Sequence, residues 1–285
     1  MKITRFLLVL FLFLNNNLFA QLQLLNTREI DVLNDLEKGK NIIKKNTISE
    51  SFEYTHKIDS KDSILSSHKT YNKNGYLLTE TDFSLKLDTI RHNTYKYDGN
   101  KLIKTDRYFK NENNIRFHTS ESFNYDDKGN NIETQLTNIY NEMIYKKIDY
   151  DNNNLKIAQN TKLPGKSELS IKKKYFYSKE NTLIKEKEYQ PDGTLSYEIK
   201  YKYNNTGNLI RSNIYLNGLT EDTYIYSYDK NNNQIESDLK FLVDGKPYLY
   251  KTKYEYDINN NLVKKSNIKN NTLTSFETFI YKKFE

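Results

Sequence analysis

The stretch "YKYNNTGNLIRSNIY", residues 201 to 215, carries the pattern on which the fold turns. A Tyr-x-Tyr pair, Tyr201 and Tyr203, runs into a polar turn containing Gly207, and the apolar pair Leu209 and Ile210 follows. "YKYDGNKLIKTDRYF" (95 to 109) and "YEYDINNNLVKKSNI" (254 to 268) say nearly the same. With the second Tyr as anchor, the string recurs at Tyr71, Tyr97, Tyr125, Tyr150, Tyr177, Tyr203, Tyr228 and Tyr256, with a last half-copy at Tyr281. A steady period of 25 to 28 residues marks tandem supersecondary units.

Each unit has a physical logic. Leu195, Tyr197, Ile199, Tyr201 and Tyr203 alternate with Ser196, Glu198, Lys200 and Lys202. Side chains two apart share one face of a strand, so this period of two predicts half-buried strands. Four residues after the anchor stand Gly75, Gly129, Asn154, Asn181, Gly207, Asn232 and Asn260. Gly and Asn tolerate the positive φ of a tight hairpin turn. Seven after the anchor stands an aliphatic residue such as Ile132, Ile157 or Ile210, expected to start the return strand on the core side. A second turn, as in "QPDGT" (190 to 194) or "VDGKP" (243 to 247), closes the unit. The expected fold is all-β: an antiparallel meander of 16–18 strands from tandem ~26-residue units, coiled or curled as a single sheet over its aromatic face.

The amino-terminal residues differ. Lys2 and Arg5 precede the apolar run Phe6 to Leu14, and Leu18-Phe19-Ala20 ends on a small residue. That is a signal-peptide pattern over 1–20, too short to span a bilayer. It predicts a secreted or periplasmic protein cleaved near Ala20, with no transmembrane segment. Residues 21–50 are expected to form a cap segment. Ile30, Leu33 and Leu36 have helical spacing, Asn26 and Glu29 resemble a capping box, Gly39 is the expected stop, and the helix would cover the first edge strand. The repeat domain is expected over 51–285.

Composition narrows the chemistry. The absence of cysteine excludes disulfides, thiol catalysis and thiolate metal sites. Net charge is +7, or +5 once Lys2 and Arg5 leave, and the charges interleave as in "LIKEKEY" (183 to 189). Interleaving reads as a solvated face and gives no nucleic-acid patch. His68, His92 and His118 stand at odd offsets from their anchors, on the face opposite the tyrosines, so no metal site is expected. "DKNNN" (229 to 233) and "DINNN" (257 to 261) start like calcium loops, but Gln234 and Leu262 stand where Gly is needed, so they read as Asx turns. No catalytic residue and no cofactor motif stands out.

"YKYDGNKL", "FNYDDKGNN", "YKYNNTGNLI" and "YEYDINNNLV" are similar to the YD repeat, also called the RHS repeat, over about Lys69 to Glu285. The resemblance implies a small secreted bacterial member, Bacteroidetes-like, from a family associated with cell-surface carbohydrate binding and cell contacts. The chain lacks an Asp-Pro-x-Gly cleavage motif and a trailing toxin domain, which sets it apart from the large toxins. The expected function is therefore non-enzymatic: an exported repeat protein presenting an extended β surface to a glycan or protein at the cell envelope. The alternatives are a carbohydrate-active hydrolase with sheet-borne carboxylates, and an accessory or immunity-like partner of a larger RHS-type toxin. Tyr197, Tyr224, Tyr248 and Tyr250 lie outside the anchor pairs and are the expected ligand-binding residues, because tyrosine joins an apolar ring to a hydroxyl.

Overall fold

The computed structural model describes residues 40–58, 62–84, 86, 88–110, 116–165, 171–216, 218–243 and 246–285. The signal-like residues 1–20 lie outside this set, and so does the helix expected between Asn26 and Gly39. A short helix, α1, covers 40–45. Eighteen strands follow: β1 (Ile48–Lys57), β2 (Ser63–Tyr71), β3 (Leu77–Phe83), β4 (Thr89–Asp98), β5 (Lys101–Lys110), β6 (Arg116–Tyr125), β7 (Asn131–Thr137), β8 (Met143–Tyr150) and β9 (Lys156–Lys162). The second half holds β10 (Ile171–Tyr177), β11 (Leu183–Tyr189), β12 (Leu195–Tyr203), β13 (Leu209–Leu216), β14 (Leu219–Tyr228), β15 (Gln234–Val243), β16 (Lys246–Tyr256), β17 (Leu262–Lys269) and β18 (Thr272–Lys283).

Every strand pairs antiparallel with the next, and β18 pairs with β1 from Ile48↔Lys283 to Lys57↔Ser275. The sheet is thus a closed up-and-down barrel. This corrects the expectation of an open, curled sheet with an edge for a helix to cover. Eighteen twisted strands accumulate enough rotation to return the last beside the first, and closure satisfies both edges at once. Strands about 4.8 Å apart and tilted by about 40° give a round section roughly 35 Å across, backbone to backbone.

The period of the sequence survives as the hairpin period. In the turn of the opening stretch Asn204 N donates to Asn208 O at 2.9 Å and Gly207 N to Asn204 O at 3.1 Å, with Gly207 at φ +82°. Asn154, Asn181, Asn232 and Asn260 hold the same place at φ 61 to 65°. One backbone step on, each of the eight anchor hairpins carries a β-bulge beside its tyrosine. The bulged residues are the aliphatics seven after the anchor. Leu78, Ile132, Ile157, Ile184 and Ile235 are 37–41% exposed, so they form a collar on the outer wall and not the start of a core.

Helix α1 sits at this turn end. Asn46 Nδ2 donates to Asn259 O (3.1 Å) and Asn261 Oδ1 (2.6 Å), and Lys40 Nζ lies 4.8 Å from the Tyr76 ring. The described part of the helix, from Lys40 past the expected stop at Gly39, packs on turns instead of an edge. Gly75 is required there: its φ is +83°, and a Cβ would meet the Lys40 carbonyl oxygen at 2.3 Å.

Candidate functional site

On a closed wall the inward side chains converge and the outward ones diverge. Tyr175, Tyr197, Ile199, Glu186, Glu188 and Lys173 are 4–6% exposed and share one face by register. That face is the lumen. Lys200, Lys202 and Arg211 on the opposite face are exposed. Among the described residues, eight buried side chains are apolar and sixteen are polar or charged. The inner wall is therefore polar, with tyrosine as its main bulk.

The anchor tyrosines explain their own recurrence. Tyr228 Oη donates to Leu209 O at 2.8 Å, on the strand before it. Tyr125, Tyr150, Tyr177, Tyr256 and Tyr281 repeat this bond to Leu102, Asn131, Lys156, Gln234 and Leu262 at 2.6–3.0 Å. Each phenol caps a carbonyl at the start of the neighbouring hairpin's return strand. A phenylalanine would fill the space but leave that acceptor unmet. Burial pushes the Tyr177 and Tyr256 phenols up to about 12, so they stay protonated donors.

Charges on the inner wall are matched strand by strand. Lys69 bonds Glu80 at 3.0 Å, Arg107 bonds Glu121 at 3.1 Å, and Lys173 faces Glu188 at 3.5 Å. Asn93 Nδ2 also donates to Glu80 Oε2 at 2.9 Å. Burial works to raise the Glu80 carboxyl, but Lys69 and Asn93 outweigh it and hold it low. Glu186 shows the opposite balance. Burial pushes it up, although Lys173 lies near and Tyr201 Oη donates to it at 2.8 Å. Burial and the Glu188 carboxylate push the Tyr197 phenol up. Tyr197 Oη and Glu188 Oε2 are buried without a hydrogen bond of normal geometry.

The four sequence-predicted tyrosines separate. Tyr197 is 4% exposed, in the wall beside Lys173, and no outside ligand reaches it without rearrangement. Tyr224 stacks on Tyr226, centroids 6.5 Å apart, at mid-wall. Tyr248 and Tyr250 come together. Both stack on Phe241 at 5.7 Å, and Lys269 Nζ stands 5.7 and 5.4 Å from their centroids. A cavity of about 410 Å³ opens there, lined by Lys240, Phe241, Pro247, Tyr248, Leu249, Asn270 and Asn271. The aromatic Phe241 and the cation Lys269 were missed in the sequence. The signal available was the "VDGKP" turn, which lengthens the strands on either side of it.

The remaining candidates are accounted for locally. Asp229 Oδ1 accepts from Asn231 N (2.8 Å) and Asn233 N (2.9 Å), and Oδ2 from Asn233 Nδ2 (2.9 Å). Both carboxylate oxygens thus serve the turn. His68 stacks on Phe52 and bonds Glu50, His118 stacks on Tyr108 and bonds Asp106, and His56 stacks on Phe276. All three lie on the outer wall by register.

No protein-family model matches the chain, and no curated protein matches it. Among solved structures, a porin-like protein from Bacteroides uniformis ATCC 8492 is 10% identical, at a TM-score of 0.42, over 82% of this chain and 98% of that one. A porin-like protein from Bacteroides vulgatus ATCC 8482 is 11% identical, at 0.33, over 83% and 99%. With no family model matching and the sheet closed on itself, the assignment to YD or RHS repeats falls, although the 26-residue period stands as a hairpin period. The functional expectation falls with it. Closure turns the tyrosine face into a lumen, so there is no open sheet to present to a glycan or an envelope protein. Carbohydrate binding, a hydrolase on the sheet and a toxin-partner role lose the surface or the family on which they rested.

Proposed function

We propose that this chain is a hollow β-barrel of the cell envelope that works through its lumen, admitting or holding small polar solutes, without catalysis. The observation that carries this reading is the closed 18-strand ladder with a polar inner wall. Barrels of 16 to 18 strands are wide enough to leave an aqueous interior. The signal-like leader supports a mature barrel in the periplasm or outside the cell, cleaved near Ala20.

The outer wall favours an aqueous setting. Lys104, Lys187, Glu198, Lys200 and Lys251 all stand on it by register. A membrane barrel carries an outward apolar band about 25 Å tall, and each Lys or Arg at its middle costs about 2–4 kcal/mol. No helix among the described residues is long and apolar enough to cross a membrane. The strand count also fits a transmembrane pore, which is the second reading, and the charged outer wall weighs against it.

The absence of cysteine supplies a clean test. Thr252 is on the inner wall and Thr223 on the outer. Thr252→Cys should react with a small methanethiosulfonate and resist a 5-kDa maleimide-polyethylene glycol, whereas Thr223→Cys takes both. Equal reaction of Thr252→Cys with the large reagent would overturn the lumen. Conductance steps in planar bilayers would favour the pore over the water-borne barrel.

A further inference from the structure

The hairpin β15–β16 outruns the β17–β18 hairpin at the end of the barrel away from the tyrosine turns. Its ladder continues through Phe241↔Tyr248, Leu242↔Pro247 and Val243↔Lys246. On one side the β17–β18 turn stops level with Leu249: Asn270 N donates to Leu249 O at 2.9 Å, and Leu249 N to Asn270 Oδ1 at 3.1 Å. The step between long hairpin and short turn is the cavity described above. Its volume falls in the range of small-ligand clefts.

The lining has a definite chemistry. Phe241, Tyr248 and Tyr250 form one stacked set, with interplanar angles of 20° and 6° at 5.7 Å. Tyr250 is 41% exposed, so the stack ends on an open ring face. Lys269, the register partner of Tyr250, is exposed on the same inner face, Lys240 is exposed on the opposite one, and the described cavity-lining residues include no carboxylate. Asn271 adds an exposed amide. Parallel rings take another flat ring, and the Lys269 ammonium beside them selects a negative charge.

We propose that this groove binds a planar aromatic anion, an aromatic carboxylate or sulfonate. Its ring extends the stack at Tyr248 and Tyr250, and its acid group lies at Lys269. By register the stack and Lys269 face the lumen, so the proposal rests on that reading, which the Thr252→Cys labelling tests separately.

The probe is 2-naphthoate, whose emission is easily read because the chain has no tryptophan. Fluorescence anisotropy on the full mature chain should show saturable binding, with neutral 2-naphthamide weaker. Tyr248→Ala should weaken naphthoate about tenfold. Lys269→Gln, an exposed and conservative change, should weaken naphthoate roughly threefold and leave naphthamide unmoved. Tyr108→Ala, in the other aromatic groove at this end (Ile90, Tyr108, Phe109, Phe117), should leave both unchanged. Absence of saturable binding, equal affinity for acid and amide, or indifference to Lys269→Gln would each overturn the proposal.

Discussion

Closure between the two ends of the chain can be tested with a single engineered bond. Tyr54 and Thr278 are register partners across the β1–β18 seam, both on the outer wall. Directly opposed residues have Cβ atoms about 4.5–5.5 Å apart, near enough for a disulfide to form with a small adjustment. The pair Tyr54→Cys and Thr278→Cys would close a loop over residues 54 to 278. Chain-entropy arithmetic for a loop that long gives about 5 kcal/mol between oxidised and reduced forms. The reduced variant starts lower, because Thr278 loses its 2.8 Å bond with His56 Nε2, which is worth about 1 kcal/mol. Mild oxidation should consume both thiols within one chain, and urea unfolding with and without reductant should show most of the 5 kcal/mol. Tyr54→Cys with Ser227→Cys, whose second member is on distant β14, should stay reduced. If the seam thiols remain free, or link only between chains, the sheet is open and the lumen does not exist.

The other expectations follow from single contacts. Tyr228→Phe removes the phenol over Leu209 O and should cost about 1 kcal/mol in urea unfolding with an unchanged m-value. A loss below 0.3 kcal/mol would mean the anchor tyrosines matter only as rings. Asn232 holds φ 65°, so Asn232→Ala should cost about 1–2 kcal/mol while Asn232→Gly stays near neutral. Equal effects would remove the positive-φ account of the turns. Burial holds the Glu186 carboxyl above its ordinary range, so the folded state is penalised at pH 7, where the group is charged. Glu186→Gln should raise the urea midpoint at pH 7, with the gain fading as pH falls towards the unfolded carboxylate range; a gain independent of pH would refute this. Hydrogen bonds from Asn130 and from the turn backbone hold Asp126 low. Its contribution is present above the unfolded value and lost as pH falls through the lower folded one, so Asp126→Asn should flatten the acid limb of the stability curve.

Much of the local structure was legible in the sequence. Period-two tyrosine patterning gave the strands, and the Gly or Asn four after each anchor gave the turns, because both are written in neighbouring residues. Closure was not, since the ladder from Ile48↔Lys283 to Lys57↔Ser275 joins the chain's extremes and leaves no local mark. The collar was misread for a related reason. A single inserted residue in a bulge reverses the alternation, so Ile132 and its equivalents fall on the outer wall. Tyr248 and Tyr250, two of the four tyrosines expected to bind a ligand, come together on one face of β16. Their partners Phe241 and Lys269 became visible only through the cross-strand registers Phe241↔Tyr248 and Tyr250↔Lys269.

The composition of the two walls then explains why tyrosine, and not leucine, carries this fold. A sandwich or a helix-covered sheet buries aliphatic side chains against a second layer. This barrel has no second layer, so inward rings such as Tyr175 and Tyr197 are buried by neighbours on the same wall. Leucine there would leave apolar area in the lumen and do nothing for the strand-start carbonyls. Tyrosine covers its neighbours' backbone with its ring and meets a carbonyl with its hydroxyl. The same condition governs the inner charges. Lys173 and Glu188 have side chains only 6% and 5% exposed, and desolvating such a pair offsets most of its attraction. Removing one partner strands the other, at about 3–5 kcal/mol. The pairs therefore define register more than they add stability, and the net stability comes from closing the ladder and eliminating its edges. A barrel held this way loses little when an outer-wall residue changes. It loses much when one member of an inner ion pair is removed, which leaves its outer collar and its far rim as the places where a binding function can be added without cost to the fold.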